Sequence, residues 1–289
     1  MKFTLGWLKE HLETDADLVT ITDKLTALGL ETEAVIDPAR TLGDFTVVEI
    51  LSASKHPDAD RLQICQVTTG AKEYTIVCGA PNARAGMKGV LALPGAVLPA
   101  SGERLRKGKI RGVTSEGMLC STAELDLGED HGGILELPED AKTGGPAAAA
   151  LGLDDPVIHL GLTPNRGDCL GVRGIARDLA AAGIGRLKPW QENSVAGEFK
   201  SPINVAFAFS KEARDACPHF TGRYIKGVKN GPSPDWLARR LIAIGLRPVS
   251  ALVDVTNLMT VGLGRPMHVF DADAVQGNLT IRLAQTGES

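Results

Sequence analysis

Apolar positions recur at helical spacing in several stretches of this chain and predict helices there. Residues 4–12 and 20–29 read as the first two. In the second, Ile21, Leu25 and Leu28 share a face, Thr20 with Asp23 resembles a capping box, and Gly29 marks the end. A third helix is expected over 171–182, where Val172, Ile175, Ala176 and Leu179 form a stripe, Asp168 stands as a cap and Gly183 follows. The fourth covers 234–244, with Ser233 as cap, Pro234 in the first turn, a stripe of Leu237, Leu241 and Ile244, and Gly245 as the stop.

Between Pro38 and about Leu137 the texture changes to short β-prone runs at Phe45–Leu51, Leu62–Thr69, Tyr74–Cys78, Val90–Leu93 and Ile134–Leu137. Turn chemistry such as His56-Pro57-Asp58 and Pro94-Gly95 separates them, a spacing that favours a small barrel or sandwich. Gly144-Gly145-Pro146 and the four alanines after it read as an exit linker. The simplest layout inserts this β-domain into a domain that begins near residue 1 and resumes after 150, with a third region from about 200. Leu279–Ala284 looks like a strand with little left to pair with it, so the sequence is expected to belong to a longer protein.

Composition narrows the picture. With 43% apolar and 23% charged residues the chain is neither a disordered tail, a collagen-like repeat nor a pure coiled coil. A net charge of −4 gives no global basic field, so any nucleic-acid contact must be local. Cys65, Cys78, Cys120, Cys169 and Cys217 lack a CxxC pair and regular spacing, which favours small buried hydrophobes in a reducing cytosol over disulfides or a cysteine-based zinc site. The N-terminus lacks the apolar core of a signal peptide, and no run reaches the ~18–20 apolar residues of a membrane span. The expected location is the cytoplasm, with no membrane partner.

Three segments carry chemistry in the β-rich region: His56-Pro57-Asp58-Ala59-Asp60-Arg61-Leu62, Val77-Cys78-Gly79-Ala80-Pro81-Asn82 and Ser115-Glu116-Gly117-Met118-Leu119-Cys120-Ser121. Proline and aspartate turn chemistry accounts for much of the first. Taken in this order, the trio resembles the EMAP-II-like tRNA-binding domain, an OB-fold barrel, over roughly residues 40–148. Such a barrel binds oligonucleotides through a groove with basic and stacking residues. Arg104, Arg106, Lys107, Lys109 and Arg111 cluster here, with Lys55 and Arg61 among the more scattered charges; a solvated loop accounts for the run equally well. Phe45 and Tyr74 are the region's aromatics, so backbone contact is expected in place of base readout.

Leu162-Thr163-Pro164-Asn165-Arg166-Gly167-Asp168-Cys169-Leu170 reads as a strand end and polar turn, followed by the helix through Ala181. Arg166, Arg173 and Arg177 could meet phosphate, although salt bridges or a subunit contact explain them more simply. Placed after such a barrel, the segment resembles the β subunit of bacterial phenylalanyl-tRNA synthetase, as do Trp7-Leu8-Lys9-Glu10 and Leu28-Gly29-Leu30-Glu31. Further on come Leu246-Arg247-Pro248-Val249-Ser250, Asp254-Val255-Thr256-Asn257 and Gly264-Arg265-Pro266-Met267-His268-Val269-Phe270-Asp271. On the residues alone His268 is a hydrogen-bonded core or turn histidine and Asn257 a buried amide. The resemblance implies instead the start of the family's editing domain, which hydrolyses tyrosine wrongly esterified to the phenylalanine tRNA. Arg247, Thr256, Asn257 and His268 match pocket positions, with His268 toward the tyrosine hydroxyl, Thr256 and Asn257 toward the ester or a water, and Arg247 toward the tRNA terminus. The family's pocket also uses a glutamate well downstream of the histidine, beyond this sequence. Asp58 with Asp60 and Asp271 with Asp273 read as turn caps, so no metal site is expected.

The expected fold class is α+β and multidomain. A discontinuous α/β domain (1–39 and 151–200) holds an inserted OB-fold barrel (40–150), followed by the first part of an α/β editing domain (201–289). By resemblance the complete enzyme joins phenylalanine to tRNA(Phe) as an α₂β₂ tetramer with an α subunit. ATP and Mg²⁺ then act at sites outside this chain, which carries no aminoacylation residue and no cofactor of its own. The alternative is a stand-alone OB-fold tRNA-binding or chaperone-like module, which would have no use for the Thr163–Leu170 and Thr256–Asp271 segments.

Overall fold

A computed structural model describes residues 1–191 and 193–288; Glu192 and Ser289, the last residue of the expected third domain, lie outside it. The fold is mixed α/β and forms two compact units, one of Met1–Gly6 with Leu25–Gly161, the other of Trp7–Lys24 with the chain from Leu162 onward. No helix among the described residues is long and apolar enough to cross a membrane.

The first unit holds strands β1 (Lys2–Thr4), β2 (Glu31–Ile36), β3 (Phe45–His56), β4 (Ala59–Thr68), β5 (Glu73–Cys78), β6 (Lys88–Ala92), β7 (Met118–Leu119) and β8 (Val157–Gly161). One antiparallel sheet has the order β1-β8-β2, and the larger one β7-β6-β3-β4-β5. Strand β3 pairs β6 from Phe45 to Glu49 and β4 from Glu49 to His56, with bulges between Ile50 and Ser52 and between Lys55 and His56 that bend it. Its apolar residues do not alternate with polar ones, because both faces are covered. Phe45 and Val47 face a cluster with Leu42, Val90, Ala92 and Leu137, while Val48 and Ile50 face Cys65, Val67, Ile76 and Leu91.

The large sheet is an open ladder. Among the described residues β5 and β7 share no strand pairing, so the closed barrel expected from the sequence is absent from the ladder. Ser115 and Glu116 stitch the two edges instead: Glu116 N–H donates to Thr75 O at 2.9 Å, Thr75 N–H to the Glu116 carboxylate at 3.1 Å and Val77 N–H to Ser115 Oγ at 3.0 Å. Gly117 permits this approach, since a Cβ there would stand 2.5 Å from Ala92 O. A hairpin of Gly108–Ile110 and Val113–Ser115 projects beside the sheet through Arg111-Gly112, both with positive φ.

The second unit is built around helices: most of α1 (Leu5–His11) and of α2 (Leu18–Ala27), then α3 (Val172–Ala181), α4 (Asp235–Ala243) and α5 (Ala251–Leu263). The expected stripes are buried: Val172, Ile175, Ala176 and Leu179 on α3, Leu237 and Leu241 on α4. Gly262 on α5 leaves room for the Trp7 indole, which a Cβ would approach to 3.3 Å.

Several local expectations are corrected. Asp17, not Thr20, caps α2, accepting Thr20 N–H at 2.8 Å. Asp168 does not cap α3, whose cap position is Gly171, because its carboxylate pairs with Arg166 and Arg177. Ser233 does not cap α4 but donates to Asp254. Ile134–Leu137 makes a single bridge, Leu137 to Lys88, where a strand was expected. The Gly144–Ala150 stretch is no linker: Gly144 and Gly145 bond Val47, and Ala147 and Ala148 are buried against Phe45 and Leu42. Leu279–Ile281 does find a partner, pairing in parallel with Val205–Phe207. Helix α5 was not anticipated, since its apolar residues occupy every face and leave no stripe.

Candidate functional site

The three motif segments, distant in sequence, meet in the first unit through side chains that bond the main chain. His56 is 2% exposed, and its Nδ1 accepts Asp58 N–H at 3.0 Å. Its Nε2 lies 3.3 Å from Ile110 O, so the ring proton belongs on Nε2 and the His56 turn is tied to the basic hairpin. Gln63 Nε2 donates to Ala80 O at 3.2 Å. Asn82 grips Ile134 twice, donating to its carbonyl at 2.8 Å and accepting its N–H at 3.0 Å.

Two clefts flank Gly79-Ala80-Pro81. The first, about 410 Å³, is lined among others by Cys78, Arg106, Ser115, Glu124 and His131. The second, about 500 Å³, is lined by Lys55, Asp60, Arg61, Leu62 and Gln63 beside that shared wall. Cys78 sits with Cys65 in one apolar cluster; hydrogen bonding between the two thiols holds Cys78 below the ordinary thiol range and, with burial, pushes Cys65 up.

The predicted basic residues are all exposed but differ in what they already hold. Lys55 pairs with Asp60 at 2.8 Å, Lys107 with Glu116 at 3.5 Å, and Arg104 donates to Gly95 O at 2.8 Å. The Thr75 N–H and then Lys107 hold the Glu116 carboxyl below its usual range. Arg61, Arg106, Lys109 and Arg111 have no ion-pair partner among the described residues. Arg106 lies on the first cleft, Arg61 on the second, and Lys109 and Arg111 on the hairpin.

In the second unit Asp168, Cys169 and Asp178 draw together three atoms of metal-ligand type within 4.8 Å. Arg166 binds both carboxylates and Arg177 does the same, so their charge is already met. Arg166 holds the Asp168 carboxyl far below its ordinary value, and burial pushes the Cys169 thiol up to about 12. The arrangement is a salt-bridge cluster. Arg173 instead lies over the Trp190 ring at 5.4 Å and donates to Lys188 O.

Arg247, Thr256, Asn257 and His268 are also in this unit. Arg247 is exposed in the segment between α4 and α5. Thr256 and Asn257 are consecutive on α5, Thr256 buried with its hydroxyl donating to Val253 O at 2.6 Å and Asn257 half-buried. His268 is exposed in the loop after α5, its ring 6.2 Å from that of Phe270. Among the described residues no hydrogen bond joins any two of the four, and none lines the two clefts above. The loop is attached to α5 by Met267 N–H donating to Thr260 Oγ1 at 3.2 Å, one helical turn from Thr256. Thr260 escaped the reading of the sequence, which offers no signal for it, while the buried Asp254 heads a segment singled out there but was given no role.

Residues 45–146 match the family model described as "Putative tRNA binding domain", and residues 216–289 match the one described as "B3/4 domain". The chain is therefore one that joins a tRNA-binding domain to a B3/4 domain. Over all of its length it is 57% identical to the phenylalanine–tRNA ligase beta subunit of Paramagnetospirillum magneticum and 56% identical to that of Rhodospirillum rubrum, covering 36% of each. The corresponding figures for Rhodopseudomonas palustris are 54% identity and 36% coverage. Over its whole length the chain is thus similar to phenylalanine–tRNA ligase beta subunits, and it spans 36% of the length of these curated relatives. Among solved structures, the MetRS related protein from Pyrococcus horikoshii aligns at 25% identity and a TM-score of 0.28, over 36% of this chain and 87% of that one.

Proposed function

We propose that this chain supplies the tRNA-contacting and part of the editing machinery of a cytoplasmic phenylalanine–tRNA ligase. The complete enzyme joins phenylalanine to tRNA(Phe) with ATP and Mg²⁺ at sites on other parts of an α₂β₂ assembly with an α subunit. In this reading residues 40–150 are an OB-type tRNA-binding domain inserted between 1–39 and 151–200, and an editing domain starts near 201. The stitched edges of the large sheet support an OB-like curl, the Ser115 and Glu116 bonds doing what a ladder does in a closed barrel. The observation that carries RNA contact is the meeting of the three motif segments around two clefts whose basic residues include Arg61 and Arg106, without ion-pair partners among the described residues. Those unmatched charges suit phosphate, and the scarcity of aromatics argues against base stacking.

The editing site must separate tyrosine from phenylalanine, which differ by one hydroxyl. A pocket does so by bonding that hydroxyl and leaving buried polar groups unpaired when phenylalanine enters. His268 is free to take that contact, Thr256 and Asn257 present hydroxyl and amide from one helix for the ester or a water, and Arg247 faces the tRNA terminus. In the complete enzyme, His268→Ala should slow deacylation of Tyr-tRNA(Phe) while phenylalanine activation stays near normal. Unchanged deacylation would remove His268 from the site.

A further inference from the structure

Asp254 is fully buried on α5, yet the chemistry assigned to this region leaves it no role. A carboxylate taken out of water needs donors, and it has them from two other segments. Ser233 Oγ donates to Oδ2, and Val249 N–H donates to Oδ1 at 3.0 Å, with Oδ2 at 3.3 Å. The same end of α5 is fastened to the 230–231 segment, where Ala251 N–H donates to Gly231 O at 2.8 Å and Leu252 N–H to Asn230 Oδ1 at 3.3 Å. These bonds satisfy main-chain donors that a helix start leaves open.

The consequence falls on Arg247. Helix α4 closes through Gly245 at φ +84, with Leu246 N–H returning to Leu241 O at 2.9 Å. The next fixed point along the chain is Val249, held by Asp254. Arg247 thus hangs between two anchors, one residue after Leu246 and two before Val249, in a segment with no regular structure of its own. We propose that Asp254 is a positioning residue for editing: it fixes the Arg247 segment against the helix that carries Thr256 and Asn257, so that the guanidinium meets the charged tRNA end at a set distance from them. The inference rests on the pocket reading given above.

The test measures Tyr-tRNA(Phe) deacylation by the complete enzyme in a cycle of Asp254→Ala, Arg247→Ala and the double variant, with Asp254→Asn beside them. Asp254→Ala should raise KM for the mischarged tRNA about tenfold, as expected for a contact displaced by about an ångström or less, with phenylalanine activation unchanged. Asparagine keeps an oxygen for Val249 N–H and an amide for Ser233, so Asp254→Asn should stay within about twofold of wild type, and the double variant should be no worse than Arg247→Ala. Additive losses in the double variant, failure of asparagine to rescue, or normal deacylation by Asp254→Ala beside an impaired Arg247→Ala would overturn the positioning role. If Asp254→Ala does not accumulate, Ser233→Ala removes one of the two donors and passes through the same cycle under the same criteria. Normal deacylation by both Arg247→Ala and His268→Ala would instead bring down the pocket reading, and the positioning role with it.

Discussion

Removing positive charge from the hairpin tip gives a quantitative check on the RNA reading. Lys109 and Arg111 are exposed, adjoin the turn and have no acidic partner among the described residues, so each is free to displace counterions from RNA. A phosphate contact contributes about 0.7 to the slope of log affinity against log salt for a single strand and about 0.9 for a duplex, so two contacts amount to about 1.4–1.8. Lys109→Gln with Arg111→Asn should therefore flatten the salt dependence by that amount. Asparagine is chosen because residue 111 has φ +46, which it tolerates. On a fourfold rise in salt, the wild type should then lose about 7- to 12-fold more affinity than the variant. The assay is fluorescence anisotropy of labelled tRNA(Phe) titrated with the complete protein at several salt concentrations, where contacts made elsewhere cancel in the difference. Lys55→Gln is the internal control: its ammonium is already paired with Asp60, so its slope should change less. Parallel log–log lines for the wild type and the hairpin variant would refute the phosphate contacts and return the hairpin to a solvated loop.

Two further outcomes are expected of the same unit. Alkylation of Cys78 by iodoacetamide should reach its midpoint at a lower pH than an ordinary thiol, and Cys65→Ala should move that midpoint upward by removing the donor; a Cys78 midpoint unmoved in that variant would refute the thiol pairing. Gly117→Ala should destabilise the fold by about 1–3 kcal/mol in denaturant unfolding, because the added methyl meets a backbone oxygen that cannot step aside. Gly108→Ala, with open space around its Cβ position, serves as the comparison, and equal stability of the two variants would contradict the close approach.

Helices α3 and α4 were legible because each sets a narrow apolar stripe against a polar face and ends at a glycine. Helix α5 was not, for the opposite reason: Val, Leu and Met surround it, and its start is secured by Asn230 and Gly231, some twenty residues away. Caps failed as sequence signals for Ser233 and Asp168 because hydroxyls and carboxylates serve long-range partners as readily as local amides. The alanine tract failed because small residues suit a linker and a crowded core alike.

The same ambiguity governs the site, and there it can be resolved. His56, Asn82 and Ser115, polar residues of the segments that carry the family resemblance, are spent on main-chain groups 54, 52 and 38 residues away. Their hydrogen-bonding capacity builds the clefts and is not available to a ligand. Arg61, Arg106, Lys109 and Arg111 remain unspent, three of them from a basic run that the sequence could not tell from a solvated loop. On the proposed reading, then, the recognisable residues make the shape and the anonymous charges make the contact. Exchanging an arginine for lysine in that run should accordingly be tolerated far better than any replacement of Asn82, whose two bonds to Ile134 need both ends of an amide.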